Sequence, residues 1–237
     1  MKLSAADEGR HLPGTDALWG ESWYHDFAAP DGSYGGYLRL GLYPNQGIAW
    51  YWVYLVRRGE PLVLIRDHAV PAPTAMEGPV EVASDVVRGS WAPEEPLRKY
   101  RITTEGTGMV LADPAAAFHD EQGPAVAVSL DLTWEGVAAP FAYSATTRFE
   151  QSARVTGEMT IGDERIEVHC PGQRDHSWGV RDWSAPRAWT WLTCQFGEEM
   201  AFNLSRVIYK CSISNLETVN LFLVNKPPTG KVFTIKH

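Results

Sequence analysis

Val126-Ala-Val-Ser-Leu-Asp-Leu-Thr-Trp134 alternates residue by residue. In an extended backbone successive side chains point to opposite faces, so Val126, Val128, Leu130, Leu132 and Trp134 share one side and Ala127, Ser129, Asp131 and Thr133 the other. The segment reads as a strand with one polar face. Long amphipathic helical patterns are nearly absent elsewhere, and the same two-residue period recurs about every ten residues between Gly, Pro, Asn and Asp turns. The chain therefore reads as all-β and mainly antiparallel.

Hairpins follow from the same period. Tyr37-Leu-Arg-Leu-Gly-Leu-Tyr43 alternates, Pro44-Asn-Gln-Gly47 turns the chain, and Ile48-Ala-Trp-Tyr-Trp-Val-Tyr-Leu-Val56 returns. The returning arm is apolar on both faces, so one face meets a cover and the other an interior that is either core or cavity. Residues 153–161 and 165–169 flank Gly162-Asp163-Glu164, and residues 189–196 and 200–207 flank Gly197-Glu198; each pair predicts a tight reversal. The Pro-rich stretches 70–79 and 91–96 read as connections or edge coverings, because proline cannot donate to a sheet ladder. A seam is expected near 145–149, giving one β unit over 1–147 and the start of a second over 148–206.

Bulk properties limit the partners. A formal net charge of −8 without clustered Lys and Arg argues against nucleic acid, whose phosphates demand basic patches. No apolar run approaches membrane-spanning length and residues 1–10 lack the apolar stretch of a secretory signal, so a cytoplasmic location is expected. Cys170, Cys194 and Cys211 cannot all pair and lack zinc-finger spacing, so reduced thiols are expected. Ten tryptophans, nine tyrosines and eight phenylalanines supply wide, stiff rings for a core or for a pocket that takes an apolar small molecule.

The polar chemistry is concentrated in Gly172-Gln-Arg-Asp-His-Ser-Trp-Gly-Val-Arg-Asp-Trp183. On a strand His176 and Trp178 point one way while Asp175 and Ser177 point the other, so a cation-forming ring and an indole share one side. Two readings stay open. Either this is an Arg and Asp ladder closing a barrel end, with His176 a satisfied core histidine, or the side chains line a ligand cavity.

The motif Arg174-Asp-His-Ser-Trp-Gly179, followed by Arg181-Asp-Trp183 and Trp189-Thr-Trp191, resembles the two-domain lipocalin-like proteins related to carotenoid 1,2-hydratases (hydroxyneurosporene synthases) and AttH-type proteins. Glu21-Ser-Trp-Tyr24, Gly35-Gly-Tyr-Leu-Arg-Leu-Gly41, Pro44-Asn-Gln-Gly47 and Trp50-Tyr-Trp52 are similar to an uncharacterised bacterial branch of that group, and the resemblance spans residues 20–206. It implies two consecutive lipocalin-like barrel or sandwich units with an apolar ligand near their junction. It also implies addition of water to an isolated double bond without a redox cofactor. The family's His and Trp fall on His176 and Trp178. Its Tyr, and the Asp two residues later that donates the proton, fall on Asn203 and Ser205, neither of which protonates an alkene.

With those two replaced, Asp175 and Asp182 are the local carboxylic acids. Each has an arginine beside it in sequence, Arg174 and Arg181, which favours the ionised form, so His176 is expected to be the donor. Trp178, Trp183, Trp189 and Trp191 are expected to face the ligand and a developing cation, with Asn203, Ser205, Trp50 and Trp52 completing the lining. Arg174, Arg181 and Gly179 are read as structural. Asp175-His-Ser-Trp-Gly179 lacks the first glycine and the following helix of a nucleophile elbow. Neither a metal motif nor a phosphate or dinucleotide fingerprint is present, so no cofactor is expected.

Composition changes at Val207: all fifteen arginines precede it, and four of the six lysines follow it. The stretch 207–237 is either an appended or frameshifted tail, which would leave the second unit incomplete, or ordinary variation. Function divides likewise between cofactor-independent hydration or isomerisation of an isoprenoid, steroid or lipid-like molecule and non-catalytic carriage of such a ligand.

Overall fold

A computed structural model describes residues 2–119, 122–143, 146–182, 184, 186–197, 200–209, 216–225 and 231–236, with side chains through 208. The strands are β1 (Trp19–Ala28), β2 (Tyr34–Tyr43), β3 (Ile48–Arg57), β4 (Leu62–Pro71), β5 (Val80–Ala83), β6 (Val87–Glu95), β7 (Lys99–Leu111), β8 (Ala125–Gly136), β9 (Phe141–Ala142), β10 (Arg148–Ile161) and β11 (Glu164–Val180). They form one sheet in the order β4-β3-β2-β1-β11-β10-β8-β7-β6-β5, with β9 beside β10. Antiparallel pairing of Leu62 to Leu64 with Met109 to Leu111 joins β4 to β7 and closes the sheet into a barrel. The fold is all-β and antiparallel, as the two-residue period predicts.

A second sheet follows as a meander of β12 (Pro186–Phe196), β13 (Met200–Tyr209), β14 (Leu216–Asn225) and β15 (Lys231–Lys236). The seam expected near 145–149 lies just before β10. Yet β10 and β11 pair with β8 and β1, so the chain changes sheets only after Val180.

Local chemistry accounts for the turns. Gly47 at φ 70° and Gly162 at φ 60° supply the left-handed conformation in the reversals between β2 and β3 and between β10 and β11. The stretch 91–96 departs from its reading as a connection, since β6 runs through Pro93 to Glu95. β5 pairs only as far as Trp91, which leaves Pro93 with a free edge where its missing N–H costs no ladder bond.

Inward positions fill the barrel. Trp23, Phe27, Leu38, Leu40, Tyr51, Val53, Trp91, Ile102, Leu132, Trp134 and Val155 belong to one contiguous buried cluster. Of the two interiors the sequence allowed behind β3, this one is packed core. Each such side chain contributes about 1.5–3 kcal/mol by leaving water. Tyr51 is satisfied within it, sharing a 2.6 Å hydrogen bond with Thr104 and accepting Trp91 Nε1–H at 3.2 Å.

The amino-terminal segment closes one end of this core. A short 3-10 turn, Ala5–Glu8, buries Glu8, whose carboxylate accepts Arg174 through both oxygens at 2.6 and 3.0 Å and the Leu97 amide at 2.6 Å. Arg10 donates to the carbonyls of Pro73 and Ala75, tying the same segment to the chain after β4. Among the described residues no helix is long and apolar enough to cross a membrane.

Candidate functional site

β11 sorts the dense motif onto two faces. Its alternation, held by β1 on one side and β10 on the other, sends Arg174, His176 and Trp178 toward the barrel interior and Gln173, Asp175 and Ser177 outward. His176 stands between Trp23 and Phe149 in register, and Asp175 between Tyr24 and Glu150.

The inner group is closed. His176 is fully buried, with Nδ1 3.0 Å from the Asp7 carbonyl and Nε2 3.0 Å from Glu21 Oε1. A carbonyl only accepts, so Nδ1 carries hydrogen. Trp23 stacks on the ring at 4.5 Å, Phe149 meets it edge-on, and Trp178 lies 5.1 Å away. Glu21 is also held by His11, through Nδ1 at 2.7 Å and the backbone N–H, and His11 stacks on Trp178 at 3.7 Å. Burial pushes the Glu21 carboxyl up, but the bonds from His11 and His176 outweigh it and hold the group below its ordinary range. His176 is thus bound within the barrel end, in the manner of the satisfied core histidine that the sequence left open.

Arg174 faces the same interior, with Nε on Gln151 at 2.7 Å, its fork on Glu8, and its guanidinium over Tyr100 and Phe149. It therefore points away from Asp175. The expectation that Arg174 keeps Asp175 ionised is corrected: the guanidinium at Asp175 is Arg148, 2.9 Å away, and burial overrides it, pushing the Asp175 carboxyl up to about 7. Sequence adjacency misled because neighbours on a strand face apart.

The outer face of β1, β10 and β11 forms a polar layer against the second sheet. Arg148 binds Glu150 through Nε at 2.8 Å and NH2 at 2.6 Å as well as Asp175, and its guanidinium lies over Trp191. Trp191 Nε1 is shared between Glu150 Oε2 and Asn203 Oδ1, each at 3.1 Å, which connects β12 and β13 to the large sheet. Tyr24 meets Trp191 edge-on at 5.0 Å and stacks on Tyr37, which stacks on Tyr54. Asp26 accepts the Gln173 amide at 2.8 Å and hydrogen-bonds the Tyr24 phenol. Burial raises its carboxyl to about 7, aided by the negative charges of Asp175 and Glu150.

Donors in this region lack protein acceptors. Among the described residues Arg39 NH1, Trp52 Nε1 and Asn203 Nδ2 are buried without a hydrogen-bond partner. Arg39 lies over Trp52, itself stacked on Trp50, and its charge reaches Asp175. A hollow of about 20 Å³ lined by Ser22, Arg39, Tyr43, Ser177 and Arg181 opens on the same face, enough for one water. A larger groove of about 540 Å³ lies away from β11, over β5 to β8, and is open, with Glu81, Val82, Arg88, Thr103, Leu130 and Asp131 in its lining.

The remaining sequence candidates are placed as follows. Asp182 is exposed and accepts Ser184 N–H and Oγ–H in a turn. Arg181 donates to the Val180 and Thr147 carbonyls, and Gly179 adopts φ 103°. Trp189 is 57% exposed, Ser205 faces the Tyr143 phenol, and Trp183 lies outside the described residues. The pair missed by sequence reading is Tyr24 and Asp26. The signal was present, for Tyr24-His25-Asp26 sets a Tyr two residues before an Asp on a strand.

A closed antiparallel barrel followed by a second sheet is the lipocalin-like architecture that also occurs in a protein of Nitrosomonas europaea assigned as AttH. That chain superposes with a TM-score of 0.68 at 13% identity, over 96% of this chain and 71% of the other. Kievitone hydratase of Nectria haematococca gives 0.60 at 12%, over 98% and 68%, and CghA with Sch210972 gives 0.53 at 14%, over 95% and 65%. The chain thus spans about two thirds of the length of these structures, and at such identities the likeness is one of fold. By sequence it matches no curated protein. The chain belongs to the family described as "Domain of unknown function (DUF7064)", whose model matches residues 4–211.

Proposed function

We propose that this chain binds an apolar small molecule carrying an oxygen function between its two sheets, which part to admit it because the hollow on that face holds one water, and that Asp26 transfers a proton to a carbon–carbon double bond of that molecule. The observation that carries the reading is the Tyr24–Asp26 pair. It sets a carboxyl whose partners are a phenol and a backbone amide in a layer of aromatic rings, with Arg39, whose NH1 has no acceptor, in register with Tyr24. A carboxylic acid kept protonated near neutrality is the acid an unactivated alkene requires.

The proton leaves Asp26 for one alkene carbon, the cation at the other carbon is stabilised over Trp191 or Tyr24 by about 1–2 kcal/mol for a desolvated ring, and water adds. The proton released from the added water returns to the Asp26 carboxylate. Loss of a neighbouring C–H proton instead of water addition gives isomerisation. Arg39, Trp52 and Asn203 offer N–H groups to the ligand's oxygen. Kievitone hydratase is named for a hydration, which agrees with this reading. On the resemblance to the hydratase-related proteins, Asn203 and Ser205 on β13 fall at that group's Tyr and Asp positions, and Tyr24 and Asp26 offer the same two groups from β1.

Mass spectrometry of small molecules released from the purified protein, followed by their incubation with it in heavy-oxygen water and, separately, in deuterium oxide, tests the proposal. Oxygen label in the product, lost with Asp26→Asn, supports hydration, and solvent deuterium taken up without oxygen supports isomerisation. Ligand returned unaltered by the unmodified protein means carriage and ends the acid reading.

A further inference from the structure

The inner group presents a donor set that the outer-layer chemistry does not use. His11 Nδ1, His176 Nε2 and a carboxylate oxygen of Glu21 all lie within 4.8 Å of one another, with Glu21 Oε1 2.7 Å from His11 Nδ1 and 3.0 Å from His176 Nε2. The three come from the amino-terminal segment, β1 and β11. His176 and Glu21 are 155 residues apart in the chain, so no ligand motif announces them.

We propose that His11, Glu21 and His176 bind one divalent metal ion of the zinc class. Two imidazole nitrogens and one carboxylate oxygen are a ligand set of three-residue zinc sites, with the remaining position left to water. The outer contacts fit that role. The Asp7 carbonyl takes the Nδ1 hydrogen of His176 and so turns Nε2 toward Glu21, the arrangement that orients metal-bound histidines. Trp23 clamps the His176 ring and Trp178 the His11 ring at interplanar angles of 17° and 10°. Arg10 stands 4.0 Å from Oε2, the other oxygen of Glu21, which leaves Oε1 to the ion.

Access and fit are also suitable. His176 and Glu21 are enclosed, whereas the His11 side chain is 22% exposed and gives the ion a way in and its water a place. Zinc–nitrogen bonds of about 2.0–2.1 Å at tetrahedral angles set donors roughly 3.3 Å apart. The contacts of Glu21 Oε1, at 2.7 and 3.0 Å, need open by about 0.6 and 0.3 Å, and the two imidazole nitrogens already lie within 4.8 Å. The ion would pin residues 5–11 to the barrel end, independently of any ligand between the sheets.

The test uses the full chain without a polyhistidine tag, stripped with chelator and titrated with cobalt(II) and then zinc. One ion per chain is expected, with visible cobalt bands that lack thiolate charge transfer, which excludes Cys170, Cys194 and Cys211 as the ligands. His11→Ala and His11→Gln, checked for folding by near-ultraviolet circular dichroism, should each weaken binding at least about tenfold, and His68→Ala should not. Zinc should raise the Tm of the unmodified protein and not that of the His11 variants. Unchanged affinity in both His11 variants, a thiolate band, or no uptake by the unmodified chain overturns the proposal.

Discussion

Asp175 and His176 are adjacent in sequence and occupy opposite sides of one strand: Asp175 pairs with Arg148 at 2.9 Å in the layer between the sheets, and His176 meets Glu21 at 3.0 Å inside the barrel end. A motif that looks like one site is therefore two. Changes on the outer side should alter ligand chemistry, and changes on the inner side should alter folding and the hold on the amino-terminal segment.

The Asp26 carboxyl, at about 7 in the folded chain against an ordinary 3.8, makes stability depend on pH. Between these values the folded group keeps its proton and the unfolded one has lost it, so stability falls as pH rises through the window, by at most about 1.4 kcal/mol per unit. Above about 7 and below about 4 the contribution is flat. Asp26→Asn should therefore gain on the unmodified protein between pH 5 and pH 7 in urea unfolding. An equal difference at both values would show that Asp26 is not protonated at pH 5.

Tyr24 donates to the ionised form of Asp26 and so pulls its carboxyl down. Tyr24→Phe should move the Asp26 titration upward, read from the carboxyl carbon by NMR, with any turnover profile shifting the same way. A downward shift would mean that the phenol instead favours the neutral acid.

Arg174 and Glu8 are each about 1% exposed and paired through both carboxylate oxygens. Removing either partner leaves the other buried and unpaired, so Arg174→Met or Glu8→Gln should cost about 3–5 kcal/mol in denaturant unfolding. The double substitution should cost well under the sum. Additive losses would mean that the two side chains do not meet.

Trp191 holds the second sheet to the first by sharing its N–H between Glu150 and Asn203. Trp191→Phe keeps a ring over Arg148 but takes the indole donor from Asn203 Oδ1 and leaves Glu150 Oε2 with Gln173 Nε2 at 3.4 Å, at a cost of about 1–3 kcal/mol. Amides of β12 and β13 should then exchange faster while those of β1 and β11 stay protected. Uniform behaviour across both sheets would show that the docking does not depend on this bond.

Much of the fold was legible because a strand writes its burial into alternate residues. Val128, Leu130, Leu132 and Trp134 are buried as their spacing predicts, and the reversals at Gly47 and Gly162 fall where glycine and proline placed them. The site was legible only in part. The opposition of Asp175 and His176 follows from strand geometry, but Arg148 as the partner of Asp175 depends on the register of β10. His11 and Glu8 carried no signal at all, since nothing local to the amino-terminal segment says that it folds onto β11.

Sequence by itself determined an antiparallel β protein rich in aromatic rings, with its charged chemistry near residue 175, because side-chain period and turn chemistry are local properties. The tertiary structure decided which groups meet: Tyr24 and Glu150 with Trp191 across two sheets, and His11 with Glu21 and His176 at the barrel end. Such contacts join residues far apart in the chain, and they are fixed by strand register and barrel closure, which no local pattern encodes.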